Sequence, residues 1–380
     1  MVTPCGCRRL DAWVAMKRLP GIGPLMFKRL LDRFGSPEKV FSAGRDELCD
    51  VEGLSEKSVR AIMKADFSGA GKKEAEYCRR SGCRIITLHD EEYPYRLARI
   101  PDPPPYVYAF GKALQEGPAV AVVGTRNPTR YGASMARRLS ADLSALGFVI
   151  VSGMARGIDS EAHLGAMDAG GRTVAVLGSG LSVIYPRENS RLYYRISENG
   201  TVISELPGTE PPNAYNFPGR NRIISGMSMG VVVVEAARKS GSLITARLAG
   251  EQGREVFAVP GNINSYKSTG AHELLKQGAK LVERAEDVVE ELAPLLLAGY
   301  ADPTKQHCGG QMEPQGHSSL TAEEKRVYDA LDPYPAHIDD LCIRLSTDAG
   351  SLLAVLLNLE LKGMAVQMPG KYFCSTGAQQ

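Results

Sequence analysis

Ala119-Val120-Ala121-Val122-Val123-Gly124-Thr125-Arg126-Asn127 and Phe148-Val149-Ile150-Val151-Ser152-Gly153-Met154-Ala155-Arg156-Gly157-Ile158-Asp159 decide the fold. Each begins as a short apolar run without polar alternation and ends in small residues followed by a cation. A strand with one wet face alternates apolar and polar residues, whereas a strand covered on both faces does not. The same grammar returns at Thr173–Gly178, Thr201–Leu206, Val231–Ala236 and Glu255–Pro260, with helical patterns between the runs. Strand and helix in alternation imply parallel strands joined by right-handed crossovers. The expectation is therefore a Rossmann-like, doubly wound α/β core with a mainly parallel sheet, spanning 117–292.

In such sheets ligands bind beyond the carboxyl ends of the strands, so the residues just after each run are the informative ones. They are Gly124, Thr125 and Arg126; Ser152, Gly153 and Arg156; Arg187 in Tyr185-Pro186-Arg187; Phe217 with Arg220, Asn221 and Arg222; and Lys239, Ser240 and Gly241. Glycine lets a phosphate approach the backbone, helix starts offer amide donors, and arginine offers a two-pronged fork. One such loop means little, but several converging on one sheet edge suggest an anion site. Some of these arginines are expected to pair instead with Asp159, Glu188 or Glu205. Glu235, at the end of an apolar run, needs a buried partner, for which Arg220 or Arg222 is expected. Phe217 suits either a base-stacking platform or core packing ahead of a helix.

Several chemistries are disfavoured. Gly124-Thr125-Arg126-Asn127 lacks the spacing of a dinucleotide-binding turn, no P-loop or zinc-protease helix occurs, and no Gly-x-Ser-x-Gly elbow comes with a defensible triad order. Asp159 and His163 stand four apart, which fits a metal or water site as well as a helix-start acid beside a packing histidine. Cys78 and Cys83 with a distant histidine could hold zinc, or could be plain reduced thiols. No catalytic residue, metal or cofactor is assigned.

Outward from the core, residues 8–75 read as short helices broken by Leu19-Pro20-Gly21-Ile22-Gly23-Pro24 and Val51-Glu52-Gly53-Leu54-Ser55. They suit a tandem helix-hairpin-helix (SAM-like) module, or a helical bundle that binds nothing. Residues 76–116 form a connector in which Tyr106–Gly111 alternates like an added edge strand. Residues 293–317 are expected to be a flexible linker, polar and without apolar period from Asp302 on. Residues 318–375 follow as three helices (Thr321–Leu331, Ile338–Leu345, Asp348–Lys362) and a hairpin, a winged-helix pattern. Its third helix is too apolar at Ser351–Leu357 to read bases well.

The bulk numbers bound the reading without fixing it. The chain has 380 residues, enough for two or three domains, and a net charge of +2 that neither requires nor forbids a nucleic-acid partner. Its longest apolar runs, such as Gly230–Ala237, are strand-sized and too short for a membrane span. With no signal-peptide pattern at the start, the cytoplasm is the expected location.

Taken in order, Val123–Arg126, Val151–Asp159, Val183-Ile184-Tyr185-Pro186, Phe217–Gly226 and Lys239–Ala246 resemble the DNA-processing protein A family (DprA, also called Smf). The resemblance spans the whole core, and both flanking modules suit it. It implies a homodimer that binds single-stranded DNA with little sequence preference. It also implies loading of the RecA recombinase during natural transformation or homologous recombination, with displacement of single-strand-binding protein. Carried across, Arg126 and Arg187 would meet phosphates and Phe217 a base. Arg220, Asn221 and Arg222 would line the same pocket, and Lys239-Ser240-Gly241 would close its far wall. Arg187 stands where many relatives have lysine, which keeps the charge but changes its geometry. Two rivals come from other classes. One is a nucleotide-cleaving enzyme of the lysine-decarboxylase-like type, whose Pro-Gly-Gly-x-Gly-Thr loop is missing here. The other is a winged-helix regulator reading duplex DNA.

Overall fold

A computed structural model describes residues 4–114, 117–300, 322–331, 335–345, 347, 352–353, 355–356, 359, 364–368 and 372–375. The chain divides into two compact units, one through Leu296 and one from Leu297 onward.

The first unit opens with helices α1 (Pro4–Arg18), α2 (Pro24–Phe34), α3 (Pro37–Ser42), α4 (Arg45–Cys49), α5 (Glu56–Lys64) and α6 (Lys72–Ser81). The sequence punctuates them in recognisable ways. Pro24 and Pro37 sit in the first turns of α2 and α3, where a missing N–H costs nothing. The side chain of Ser55 caps α5 through the Ser58 amide, and Gly35 ends α2 at φ 82°.

Then come β1 (Arg84–Thr87), α7 (Tyr95–Ala98), β2 (Tyr106–Gly111), β3 (Ala119–Val123), α8 (Arg130–Ala145), β4 (Val149–Ser152), α9 (Ile158–Asp168) and β5 (Thr173–Val176). The unit continues with α10 (Ser190–Asn199), β6 (Thr201–Ser204), α11 (Asn216–Met227), β7 (Gly230–Val233), α12 (Gly241–Glu251) and β8 (Glu255–Ala258), and closes with α13 (Thr269–Lys276), β9 (Lys280–Leu281) and α14 (Ala285–Tyr300).

Among the described residues these strands form one nine-stranded sheet in the order β1-β2-β6-β5-β4-β3-β7-β8-β9. All six runs picked from the sequence are strands, and their ladders are parallel from β6 through β8. Chain order reverses direction between β3 and β7, the switch point at which doubly wound sheets open a crevice. Successive side chains explain the unbroken apolar runs. Val120 and Val122 of β3 pack with Leu139 and Leu143 of α8, whereas Ala121 and Val123 pack on the other face with Ile223 and Ile224 of α11. Burying each such Val or Ile fully is worth about 1.5–3 kcal/mol.

Three expectations are corrected. The Tyr106–Gly111 strand is not the sheet edge, because Arg84–Thr87 pairs antiparallel outside it. The connector thus contributes two strands, the outer one short enough to pass for a loop. The N-terminal helices do not stand apart: Trp13, Met16, Phe27 and Leu30 share one core cluster with Tyr106, Tyr108, Ala175 and Leu177. Helix α14 runs eight residues past the expected start of the linker at 293, since Leu292 and Leu296 keep helical spacing against the sheet.

In the second unit, α15 (Ala322–Tyr328), β10 (Ala336–His337), α16 (Ile338–Leu345), β11 (Ala365–Met368) and β12 (Tyr372–Ser375) are described. The expected hairpin is present, with β12 between β10 and β11. The expected third helix, 348–362, lies largely outside the described residues. Its Leu352, Leu356 and Leu359 are buried with Leu341, Leu345 and Phe373, so this apolar face builds core.

Candidate nucleic-acid interface

A pocket of about 180 Å³ opens beyond the carboxyl ends of β3, β4 and β5, beside the switch point. It is lined by the turn after β3 (Arg126, Asn127), the turn after β4 (Gly153, Ala155, Arg156), Gly178 and Ser179 after β5, Tyr185 and Pro186, and Phe217 and Arg220 of α11.

Close approach shapes its floor. A Cβ on Gly178 would fall 2.7 Å from the Phe217 ring, and one on Gly153 would fall 2.0 Å from the Arg220 guanidinium. Any larger residue at either position would displace the group that forms the wall. Met154, fully buried at a left-handed φ of 54°, turns the loop that presents Ala155 and Arg156. Asp159, at the start of α9, braces that loop by accepting from the amides of Gly153 (3.2 Å) and Ala155 (3.3 Å). Its role is thus the helix-start acid, and burial holds its carboxyl above the usual range. His163 is fully buried, with Nδ1 2.7 Å from the Thr173 hydroxyl. It is a packing histidine, and burial pushes its pKa down to about 3. No group of metal-ligating side chains occurs among the described residues. Cys78 and Cys83 are free thiols with their sulfurs 3.3 Å apart.

Three cations meet the pocket in different states. Arg220 is buried, and its Nη1 donates to the Gly153 carbonyl at 2.7 Å. Burial lowers its pKa to about 10 against the opposing pull of Asp159, so it stays charged at neutral pH. Its Nε, also buried, has no hydrogen-bond partner among the described residues. Arg156 pairs with Glu188 at the surface. Arg126 is exposed, forms no ion pair among the described residues, and rests over the Phe217 ring at 5.5 Å. The same ring lies 5.7 Å from that of Tyr185, itself 41% exposed. Phe217 is half-buried, so part of it packs and part faces the pocket.

The remaining sequence candidates do not line the pocket. Ser152 is fully buried and donates to the Val122 carbonyl across the β3–β4 ladder. A Cβ on Gly124 would strike Ile158, and the Thr125 backbone bonds to Glu235 and Ile158. Both residues hold the turn rather than a ligand. Asn221 lies against the Gly241 carbonyl at 3.4 Å, and Arg222 pairs with Glu205 and Asp102. The expected partner of Glu235 is therefore wrong: its carboxylate accepts the Thr129 amide at 2.8 Å. Arg187 is exposed on the short 3-10 turn Arg187–Asn189. Lys239 and Ser240 precede α12 on the same sheet edge, Ser240 capping the helix that Gly241 opens, and the three do not line the pocket. Asn127, Ala155, Gly178, Ser179, Tyr185 and Pro186 line the pocket without having been chosen from the sequence; the Tyr-Pro aromatic was the usable signal.

The comparisons agree with this architecture. The model of DNA recombination-mediator protein A matches residues 84–293, that of the DprA winged-helix domain 311–371, and that of a SAM-like helix-hairpin-helix tandem 15–65. Protein Smf of Synechocystis sp. is 33% identical over 94% of this chain and 96% of its own length. DNA processing protein DprA of Bacillus subtilis is 44% identical over 59% of this chain and 76% of its own. The X-ray structure of DprA from Streptococcus pneumoniae superposes with a TM-score of 0.63 at 36% identity, covering 75% of this chain and 97% of that one. DprA from Helicobacter pylori, described for its single-stranded DNA binding mode, gives a TM-score of 0.50 at 32% identity, covering 56% and 96%. With a family model over most of the core and a relative aligned along nearly the whole chain, this chain belongs to the DNA-processing protein A (DprA/Smf) family.

Proposed function

We propose that the chain binds single-stranded DNA at the Arg126–Phe217 pocket and mediates recombination by handing the strand to a RecA recombinase. The observation that carries this reading is an exposed Arg126, with no ion pair among the described residues, set over an aromatic ring beside a buried and charged Arg220. Cations that track phosphates, joined to an aromatic platform, are the general design for sequence-tolerant single-strand binding. The relative from Helicobacter pylori, described for its single-stranded DNA binding mode, supports the same ligand.

The chain acts by binding and not by catalysis. Of the acids beside the pocket's loops, Asp159 and Glu235 are engaged by backbone amides and Glu188 by Arg156, and no carboxylate is among the lining residues. A nucleotide-cleaving site would want a free one. Two such pockets in a homodimer raise each other's effective concentration along one strand, which lets the protein compete with single-strand-binding protein. The site of action is the cytoplasm, during homologous recombination that includes natural transformation.

The test pairs binding with delivery. A labelled oligonucleotide and its duplex are titrated at several salt concentrations, and RecA filament growth is followed on a strand coated with single-strand-binding protein. The proposal expects single-strand preference, an affinity that falls steeply with salt, and faster filament nucleation. Equal duplex binding, or release of free base from the oligonucleotide, would refute it.

A further inference from the structure

The loop after β8, Pro260 to Ser268, carries Ile263 at 84% exposure and Tyr266 at 71%. An aromatic ring this exposed on an ordered loop presents an apolar face with a polar tip to a ligand. The loop is fixed at many points. Ser265 N bonds Asn262 O at 2.9 Å, Thr269 Oγ1 bonds Tyr266 O at 2.7 Å, and Gly270 N bonds Ala236 O at 2.7 Å. Two further bonds tie it to the pocket side. Lys267 Nζ donates to the carbonyl of Asn127, a lining residue, at 2.7 Å, and Tyr131 Oη donates to the Pro260 carbonyl at 3.0 Å. Tyr131 is itself 50% exposed.

The charge pattern points to an anionic occupant. The segments 124–131, 211–221 and 260–272, all on this edge, contain no Asp or Glu, yet they hold Arg126, Arg130, Arg220 and Lys267. On the way from the pocket to the β8 loop the nearest acid is Glu235, which is buried and held by the Thr129 amide.

We propose that Tyr266, with Ile263 beside it, is a second stacking platform for the same DNA strand, which runs from the Arg126–Phe217 pocket past Lys267 onto the β8 loop. The inference rests on the pocket reading above. From β5 to β8 the sheet order makes four steps, β4, β3, β7 and β8. At about 4.8 Å each they span on the order of 20 Å. That is about six stacked nucleotides at ~3.4 Å each, and fewer if the strand is drawn out. Short oligonucleotides should therefore fill the pocket alone, and longer ones should reach Tyr266.

The test uses the full chain with oligothymidylates of about four and about sixteen nucleotides, which bracket that span. Wild type, Tyr266→Ala, Tyr266→Phe and Arg126→Ala are compared, and the mass of each in solution is measured by light scattering. The expected result is that Tyr266→Ala weakens the long oligonucleotide by about tenfold, the loss of one stacked base. It leaves the short one and the mass unchanged, Tyr266→Phe restores the long one, and Arg126→Ala weakens both. Wild-type affinity of Tyr266→Ala for the long oligonucleotide overturns the inference alone. So does an equal loss on both lengths, or a change in mass, which would assign the loop to a contact between copies. If wild type binds neither length, the pocket reading falls and this inference with it.

Discussion

Arg126 and Phe217 are the residues proposed to meet the strand, and each makes a separable prediction. Replacing Phe217 by Ala removes the ring on which Arg126 rests and should weaken single-strand binding by about 1–3 kcal/mol. Phe217→Tyr should keep most of the affinity, as measured by fluorescence anisotropy. His163 predicts a stability effect unrelated to binding. Its Nδ1 faces the Thr173 hydroxyl, which donates onward to the Ile150 carbonyl, so Nδ1 carries the proton and Nε2 is bare and buried. The folded pKa of about 3 lies below the usual 6.5. As pH falls through 6.5 the unfolded chain takes up a proton that the fold refuses, so stability is complete above that pH and declines towards 3. The slope is about 1.4 kcal/mol per pH unit. Denaturant midpoints between these limits should fall less steeply for His163→Asn, whose amide keeps the bond to Thr173; identical slopes would remove His163 from the account. At this scale the sequence showed residue types well and their direction poorly. Arg126, Gly153, Arg156, Phe217 and Arg220 were chosen from it and do line the pocket, but Arg222 and Ser152, chosen on the same grounds, do not.

The reason lies at the scale of the element. Arg220, Asn221 and Arg222 are consecutive on α11, and consecutive helical side chains point about 100° apart. They therefore serve three neighbours: Arg220 the pocket, Asn221 the Gly241 carbonyl, and Arg222 the acids Glu205 and Asp102. The pair Arg222–Glu205 is mostly buried, at 10% and 17% side-chain exposure. Removing one partner leaves the other charge without compensation, which costs about 3 kcal/mol. Arg222→Ala should thus lower the denaturant midpoint while the folded protein keeps its affinity for single-stranded DNA. A binding defect at full stability would return Arg222 to the site. The strands were the most legible elements, because burial on both faces writes itself as an unbroken apolar run. Arg84–Thr87 escaped notice because Arg84 and Thr87 leave only two apolar residues between them, and Lys280–Leu281 because two residues show no period.

For the whole molecule, the doubly wound core and its flanking modules could be read from alternation and turn residues, whereas the docking of the first module could not. Which apolar face of Trp13, Phe27 and Leu30 meets which strand depends on contacts far apart in sequence. The consequence is that the helices before β1 are part of the core. A chain beginning at Cys83 would bare Tyr106 and Tyr108, each under 4% exposed in the intact protein. It should aggregate or melt well below the intact chain in a thermal scan. An unchanged transition would show that the module is an ornament. The central claim concerns one crevice at the switch point of the sheet, and it is tested most directly by a single comparison. Affinity for a labelled single strand should be measured across salt for wild type, Arg126→Ala and Arg222→Ala. The account predicts a large loss and a shallower salt slope, by about one unit, for Arg126→Ala alone. Binding unchanged in Arg126→Ala, with the slope intact, would contradict it and move the DNA site out of the crevice.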